Sequence, residues 1–376
     1  MKTVTYFTRL VRSVSPSPTL PTFRLLPVAT CRLTPTDARQ IDCVGYWRWY
    51  RNPAGVATMT IDTQSLNVAE YHSFDSHLPL QPRLKVLLDH YFSSAHLNDR
   101  LQDLPHQFQH PQPRPWKPIH WQAIAPDQIV GIQLPVFLAI LKGAIDTEAP
   151  IRDYTQTSRQ YLEPLHPCMA RFVGGVAATD GTLLELGLWE KEERQHTPAL
   201  VKLYSQLTHE TAIPQPHAVR QYQPSSDRIS DLYRHGLHRV ATEYGAACLY
   251  LWLMAHTTGP LQAVLEELVL DEINHMTKFW GFGVWAYPNS SLTQISWTVV
   301  QAMKGRVTYQ PDRSSLFGTL HRMTTVLGWR TWSAANKLTF AFTCFYALRL
   351  LWRWSQELTP ATLQDLFGQP SLCLKN

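Results

Sequence analysis

Between about residues 126 and 285 apolar residues recur every three or four positions, the period of helices with one buried face. Four long segments follow, near 128–160, 178–206, 227–257 and 260–284. Pro135 and Pro150 should bend or shorten the first, and Pro198 should kink the second just after its polar centre. Thr257, Thr258, Gly259 and Pro260 make a short turn, so the third and fourth segments should be antiparallel neighbours. In residues 37–103 the pattern predicts one helix near Leu80–Phe92 and assigns nothing else. Pro105, Pro111, Pro113, Pro115 and Pro118, set among Gln and His, predict a stiff extended connector over 104–118. Beyond 286 one or two further helices are expected, the most apolar over Ser333–Glu357. No repeat of fixed period is present. The expected fold is all-α, a four-helix bundle over 126–285. A basic extension (1–36), an N-terminal region with its connector (37–125) and a C-terminal helical extension (286–376) surround it.

Each of the four segments carries an apolar stripe broken by a carboxylate. The second runs Leu186, Trp189, Glu193, His196, Leu200, Leu203. The fourth runs Leu261, Leu265, Leu268, Glu272, His275, Phe279. The first places Glu148 after Leu134, Leu138, Leu141 and Ile145, and the third places Glu243 among Val240, Ala247, Tyr250 and Met254. A lone buried carboxylate costs several kcal/mol unless its charge is compensated. Four turned to one core repel, and two divalent cations remove the repulsion. One Glu from each of two helices with Glu-x-x-His from each of the other two is the ligand set of di-iron and di-manganese bundles. The mixed oxygen and nitrogen shell suits iron or manganese better than zinc. The candidate metal-ligating residues, acting catalytically through the metals, are Glu148, Glu193, His196, Glu243, Glu272 and His275, with Glu185 and Glu163 as substitutes for Glu148. A third Glu-x-x-His, Glu163 to His166, is flanked by Pro167 and is set aside as background. Glu190, Arg194, Glu267 and Lys278 fall off the stripes and are expected on solvated faces.

Composition narrows the rest. The chain has 376 residues, 44% of them apolar, and a net charge of +5. No run of Lys and Arg resembles a nucleic-acid arm. The first 36 residues lack Asp and Glu but hold Lys2, Arg9, Arg12, Arg24 and Arg32. Two readings of this stretch stay open, an organelle transit peptide and a disordered extension, so the expected compartment is cytoplasm or plastid stroma. The six cysteines are scattered with no CxxC, as in reduced proteins. No stretch reaches the roughly 18 apolar residues of a membrane span. The nearest, Leu338 to Leu348 between Lys337 and Arg349, is expected to be a buried or surface-docking helix, with contact at a membrane surface as the alternative.

At the candidate ligands the sequence resembles the soluble acyl-acyl-carrier-protein desaturases, members of the ferritin-like di-iron carboxylate superfamily. Their Glu-Glu-x-x-His and Asp-Glu-x-x-His signatures read here Glu192-Glu193-Arg194-Gln195-His196 and Asp271-Glu272-Ile273-Asn274-His275. Trp189 before the first signature, Lys202 after it, and Thr147-Glu148-Ala149-Pro150 leading to Tyr154 extend the likeness over about 130–285. The chain departs from the family in two places. The interval from Glu243 to Glu272 is 29 residues, about one helical turn shorter and similar to that of aldehyde-deformylating oxygenases. Ala246 stands where desaturases carry a Thr linked to oxygen handling.

The resemblance implies an O2-dependent oxidase with two iron ions (or manganese). It also implies a fatty-acyl or lipid-like substrate, held on an acyl carrier protein or free, and a ferredoxin-type electron donor. A homodimer is compatible with it; nucleic acid is not an expected partner. Tyr250, Met254, Met276 and Phe279 are expected to line an acyl slot or to be plain core. Asp231 and Asp153 are candidates to orient the ligand imidazoles, whereas Asp271 is expected to point outward. Hydroxylation, N-oxygenation or deformylation of another small molecule is the alternative reaction. Iron oxidation and storage is the alternative function, and a metal-free structural bundle the remaining option.

Overall fold

Helix signals in the sequence are mostly answered by helices in the computed structural model, which is predominantly α-helical. It describes the backbone of 43–51 and 57–65, and residues 80–290 and 327–368 apart from 216–218, 220, 221, 223 and 225. The proposed extension 1–36 lies outside the described residues, as does 291–326 of the C-terminal region. The chain divides into two units, Met1–Phe74 and Asp75–Asn376.

In the first unit, β1 (Cys43–Arg51) and β2 (Ala57–Ser65) form an antiparallel hairpin, with Cys43 opposite Ser65 and Arg51 opposite Ala57. The sequence reading left this stretch unassigned.

The second unit opens with α1 (Leu80–Tyr91), α2 (Ser94–Gln102) and α3 (Leu104–Gln109). Helix α1 matches the expectation near Leu80–Phe92. Helix α3 corrects the extended connector at its start: Pro105 sits in the first turn, where its missing N–H costs nothing. Residues 110–118 carry no regular element.

The first long segment becomes α4 (Leu134–Glu148) and α5 (Ile151–Leu162), divided at Pro150. Pro135 lies in the first turn of α4 and bends nothing. After α6 (Pro167–Gly174) the chain makes a small antiparallel pair, β3 (Val176–Ala177) with β4 (Leu183–Glu185), where continuous helix was expected. The second segment is therefore shorter than predicted. It consists of α7 (Leu188–Glu193) and α8 (His196–Thr208), separated by Arg194 and Gln195. Both separating residues keep right-handed helical dihedrals, so the interruption is a kink rather than a loop. Pro198 causes it: its ring cannot accommodate the Arg194 carbonyl of a continuous helix, and restarting at His196 places Pro198 in a first turn. The kink falls between the two candidate ligands, not after them.

Helices α9 (Arg228–Ala255) and α10 (Gly259–Ala286) pack along each other as antiparallel neighbours across the turn at His256–Thr258. Asp227 caps α9 by accepting from the Ser230 N–H at 3.0 Å, and Pro260 sits in the first turn of α10. Helices α11 (Ala334–Glu357) and α12 (Pro360–Phe367) close the described chain. Helix α11 lies on α9 and α1, and α12 on α10.

The core runs between α4, α8, α9 and α10, where Phe137, Ile140, Leu141, Leu200, Leu203, Ala247, Leu251, Leu265, Leu268 and Met276 are all fully buried. No described helix is long and apolar enough to cross a membrane.

Candidate metal centre

Six side chains from α4, α7, α8, α9 and α10 converge in this core. Glu148 is the last residue of α4, Glu193 the last of α7 and His196 the first of α8. Glu243 comes from the middle of α9, and Glu272 and His275 lie one turn apart on α10. The kink thus lets one short stretch of chain present Glu193 and His196 to the same point. Two overlapping groups result: Glu148, Glu193, His196 and Glu272 form one, and Glu193, Glu243, Glu272 and His275 the other. In each group one ligand atom per residue lies within 4.8 Å of all the others. Glu193 and Glu272 belong to both. Glu163 and Glu185 stand apart, paired with Arg159 at 3.2 Å and Arg171 at 2.7 Å.

The inward atoms face one another at short range. His196 Nδ1 is 3.2 Å from Glu193 Oε2, 3.3 Å from Glu272 Oε1 and 4.0 Å from Glu148 Oε2. His275 Nδ1 is 2.7 Å from Glu193 Oε1 and 3.7 Å from Glu243 Oε2. Yet His196 Nδ1, His275 Nδ1, Glu243 Oε2 and Glu272 Oε1 all remain buried without a hydrogen-bond partner. Buried polar atoms left unpaired are costly. Lone pairs that converge on one volume instead of on donors are what a metal ion satisfies. The donor set therefore fits divalent cations.

The outer nitrogens are bonded. His196 Nε2 lies 3.3 Å from Asp271 Oδ2, and His275 Nε2 lies 2.8 Å from Glu192 Oε2. With Nε2–H donating outward, each Nδ1 lone pair is left for the interior. This overturns the expectation that Asp271 points outward: it is fully buried. Asp153 is exposed, and Asp231 pairs with Arg234 at 3.5 Å, so neither takes the role proposed for it.

Asp271 and Glu192 are in turn held by the Pro-rich stretch. Arg114 donates from Nε to Asp271 Oδ1 at 2.7 Å, from Nη1 to Glu267 Oε2 at 2.5 Å, and from its backbone N–H to Glu192 Oε1 at 2.8 Å. Trp116 Nε1 donates to Asp271 Oδ2 at 2.8 Å. Within the core, Tyr250 donates to Glu148 Oε1 at 2.7 Å and Trp189 Nε1 to Glu193 Oε1 at 3.0 Å.

Three of the four charges expected on solvated faces are buried as well. Glu190 accepts from Thr155 at 2.8 Å and from Arg194 at 2.6 Å. Glu267 takes Arg114, and Lys278 pairs with Asp103 at 2.9 Å and donates to Asn274. Only Arg194 is exposed. Glu267 and Lys278 lie on α10, which packs against α9, α2, α7, α8, α12 and residues 110–118 and keeps a narrow part-exposed strip at Ala263, Glu266 and Leu270. Glu190, on α7, faces Thr155 of α5.

Burial and mutual repulsion set the electrostatics. Burial, then the neighbouring Glu193, pushes Glu148 up to about 7 and Glu243 up to about 8, and the same causes hold Glu272 well above the carboxylate range. Burial opposes ionisation of Glu193 too, but His196 and His275 beside it hold it below that range. Both imidazoles are raised against their burial, His196 chiefly by Glu193 and His275 by Glu192 and Glu193. The protein alone thus keeps protons where cations would sit.

Tyr250, Met254, Met276 and Phe279 are all buried. A polar cavity of about 460 Å³ lies outside the core, between α2 and the 112–115 stretch, and reaches Glu192 and Asn274. Comparison of the chain with family models, with curated proteins and with solved structures returned no match.

Proposed function

We propose that this chain is a non-haem di-iron carboxylate oxidase with a ferritin-like bundle, using O2 to oxidise a C–H bond of a fatty-acyl or lipid-like substrate. The observation that carries this reading is the pair of overlapping ligand groups in which His196 Nδ1, His275 Nδ1, Glu243 Oε2 and Glu272 Oε1 lack a hydrogen-bond partner. Glu193 and Glu272 would serve both ions, Glu148 with His196 one of them, and Glu243 with His275 the other. Four carboxylates balance two divalent cations, and the oxygen-rich shell favours iron, then manganese. When bound, the ion pair would supply O2 activation and C–H oxidation, with two electrons from a ferredoxin-type donor.

The chain's own residues prepare that chemistry. Asp271 and Glu192 fix the imidazole tautomers by accepting at Nε2. Tyr250 holds Glu148 Oε1 and leaves Oε2 for the centre, and Trp189 fixes Glu193 Oε1 where it faces His275 Nδ1. Leu200, Leu203, Leu265 and Leu268 exclude water. The resemblance of the two signatures to those of acyl-acyl-carrier-protein desaturases supports the acyl substrate and desaturation as the reaction. Ala246 in place of their Thr favours keeping hydroxylation, N-oxygenation or deformylation as a second reading. Mass spectrometry of products separates these: loss of two hydrogens supports desaturation, gain of an oxygen atom the alternative.

The centre itself is tested by metal analysis and Mössbauer spectroscopy of iron-loaded protein. Glu193→Ala and Glu272→Ala should abolish an antiferromagnetically coupled pair, and Glu163→Ala should leave it intact. A coupled pair that survives both core substitutions would overturn the assignment.

A further inference from the structure

Helix α11 is fixed along one face and bare along the other. Thr343, Ala347, Leu351 and Trp354 are buried beneath it. On the opposite side Leu338, Ala341, Phe345, Leu348 and Trp352 recur at alternating spacings of four and three, which is one continuous apolar row on a helix. Phe345 is 80% exposed and Leu338 71%. Large apolar side chains in a row on a surface mark a contact site.

The charge around the row is of one sign. From residue 327 to 356 the chain has no Asp or Glu but carries Arg330, Lys337, Arg349 and Arg353. The nearest acids are engaged: Asp89 by Lys85 and Tyr346, and Glu357 by Ser94 at 3.2 Å. Two of the chain's own undescribed stretches, 1–36 and 291–326, are poor electrostatic matches, whereas 66–79 carries Glu70 and Asp75 without Lys or Arg. Residues 291–326 hold Lys304, Arg306, Arg313 and Arg322 against Asp312 alone, and residues 1–36 have no acid at all. A second copy would set the same cations against each other. An anionic lipid surface complements both the apolar row and the flanking charge.

We propose that the outer face of α11 docks this protein on the surface of an anionic lipid bilayer, with Leu338, Phe345, Leu348 and Trp352 entering the interface and Arg349 and Arg353 meeting headgroups. The contact is peripheral, since no described helix can span the bilayer. It does not depend on the metal centre, though it would bring a lipid-oxidising site to its substrate's source.

The test is flotation of the full chain with phosphatidylcholine vesicles, with and without phosphatidylglycerol. The wild-type protein should float with the anionic vesicles, and less so at high salt. Brominated lipid should quench part of the wild-type tryptophan fluorescence, and Trp352→Phe should remove that quenched part. Leu338→Asp with Phe345→Asp should lower vesicle partitioning about tenfold or more while circular dichroism and metal content stay unchanged. Arg349→Gln with Arg353→Gln should remove the preference for phosphatidylglycerol. Failure of the wild-type protein to bind either vesicle would overturn the proposal, as would equal binding by the Asp double variant. A dimer in light scattering that the Asp variant dissociates, without vesicle binding, would show the face to be a self-contact instead.

Discussion

Asp271 has three partners at once, the imidazole of His196, the guanidinium of Arg114 and the indole of Trp116. Burial alone would raise its carboxyl; His196 and Arg114 hold it below its usual range, so it stays ionised and accepts at His196 Nε2. Periodicity did not reveal this role. A hydrophobic stripe reports which face meets one neighbour, and it places Asp271 off the stripe. It is silent about a partner 157 positions away that covers the other face. The six inward residues were legible for the opposite reason: a Glu inside an apolar row is conspicuous in the sequence itself. Asp271→Asn should keep the shape but weaken control of the imidazole tautomer and break the ion pair with Arg114. Metal affinity should fall about 10- to 100-fold in a chelator competition, with the helical circular dichroism retained. Affinity unchanged within twofold would mean that His196 is oriented by packing alone.

At the scale of elements, Pro198 explains how α7 and α8 serve one site. The sequence places a kink there correctly but one turn too late, because a proline disturbs the carbonyl four residues before it. Pro198→Ala would permit a straight helix from 188 to 208. Proline disfavours a helix interior by about 3 kcal/mol, so the metal-free variant should melt no lower than the parent. Metal loading should nevertheless drop, since His196 would rotate relative to Glu193. Calorimetry with metal analysis checks both; full loading with a straightened helix would show that the kink is incidental. The Pro-rich stretch shows the opposite limit. Its composition gives stiffness, but nothing in it announces that Arg114 and Trp116 reach over the centre, or that residues 104–109 form a helix. The strand pair at 176–185 is likewise too short to carry a period of its own.

For the whole molecule, the buried cluster links stability to pH. Glu148 and Glu243 hold their protons up to about 7 and about 8, against 4.5 ordinarily. Between pH 6.5 and 8 the folded metal-free protein therefore binds more protons than the unfolded chain, and its stability should fall as pH rises through that window; below 6.5 the lowered imidazoles of His166, His235 and His256 oppose the carboxylates. The raised imidazoles act in the same direction above 6.5, whereas lowered Glu193 acts only below 4.5. Bound cations would replace those protons, so thermal melts across the window should slope downward without metal and flatten with it. A metal-free protein that gains stability across this range would mean that the cluster is already neutralised by other means. The central claim is that four helical segments enclose two cations between Glu193 and Glu272. It is met most directly by anomalous diffraction at the iron edge from iron-loaded crystals. The account predicts two peaks flanked by these carboxylates, one beside His196 Nδ1 and one beside His275 Nδ1. A core without peaks, or iron found only at the protein surface, would contradict it.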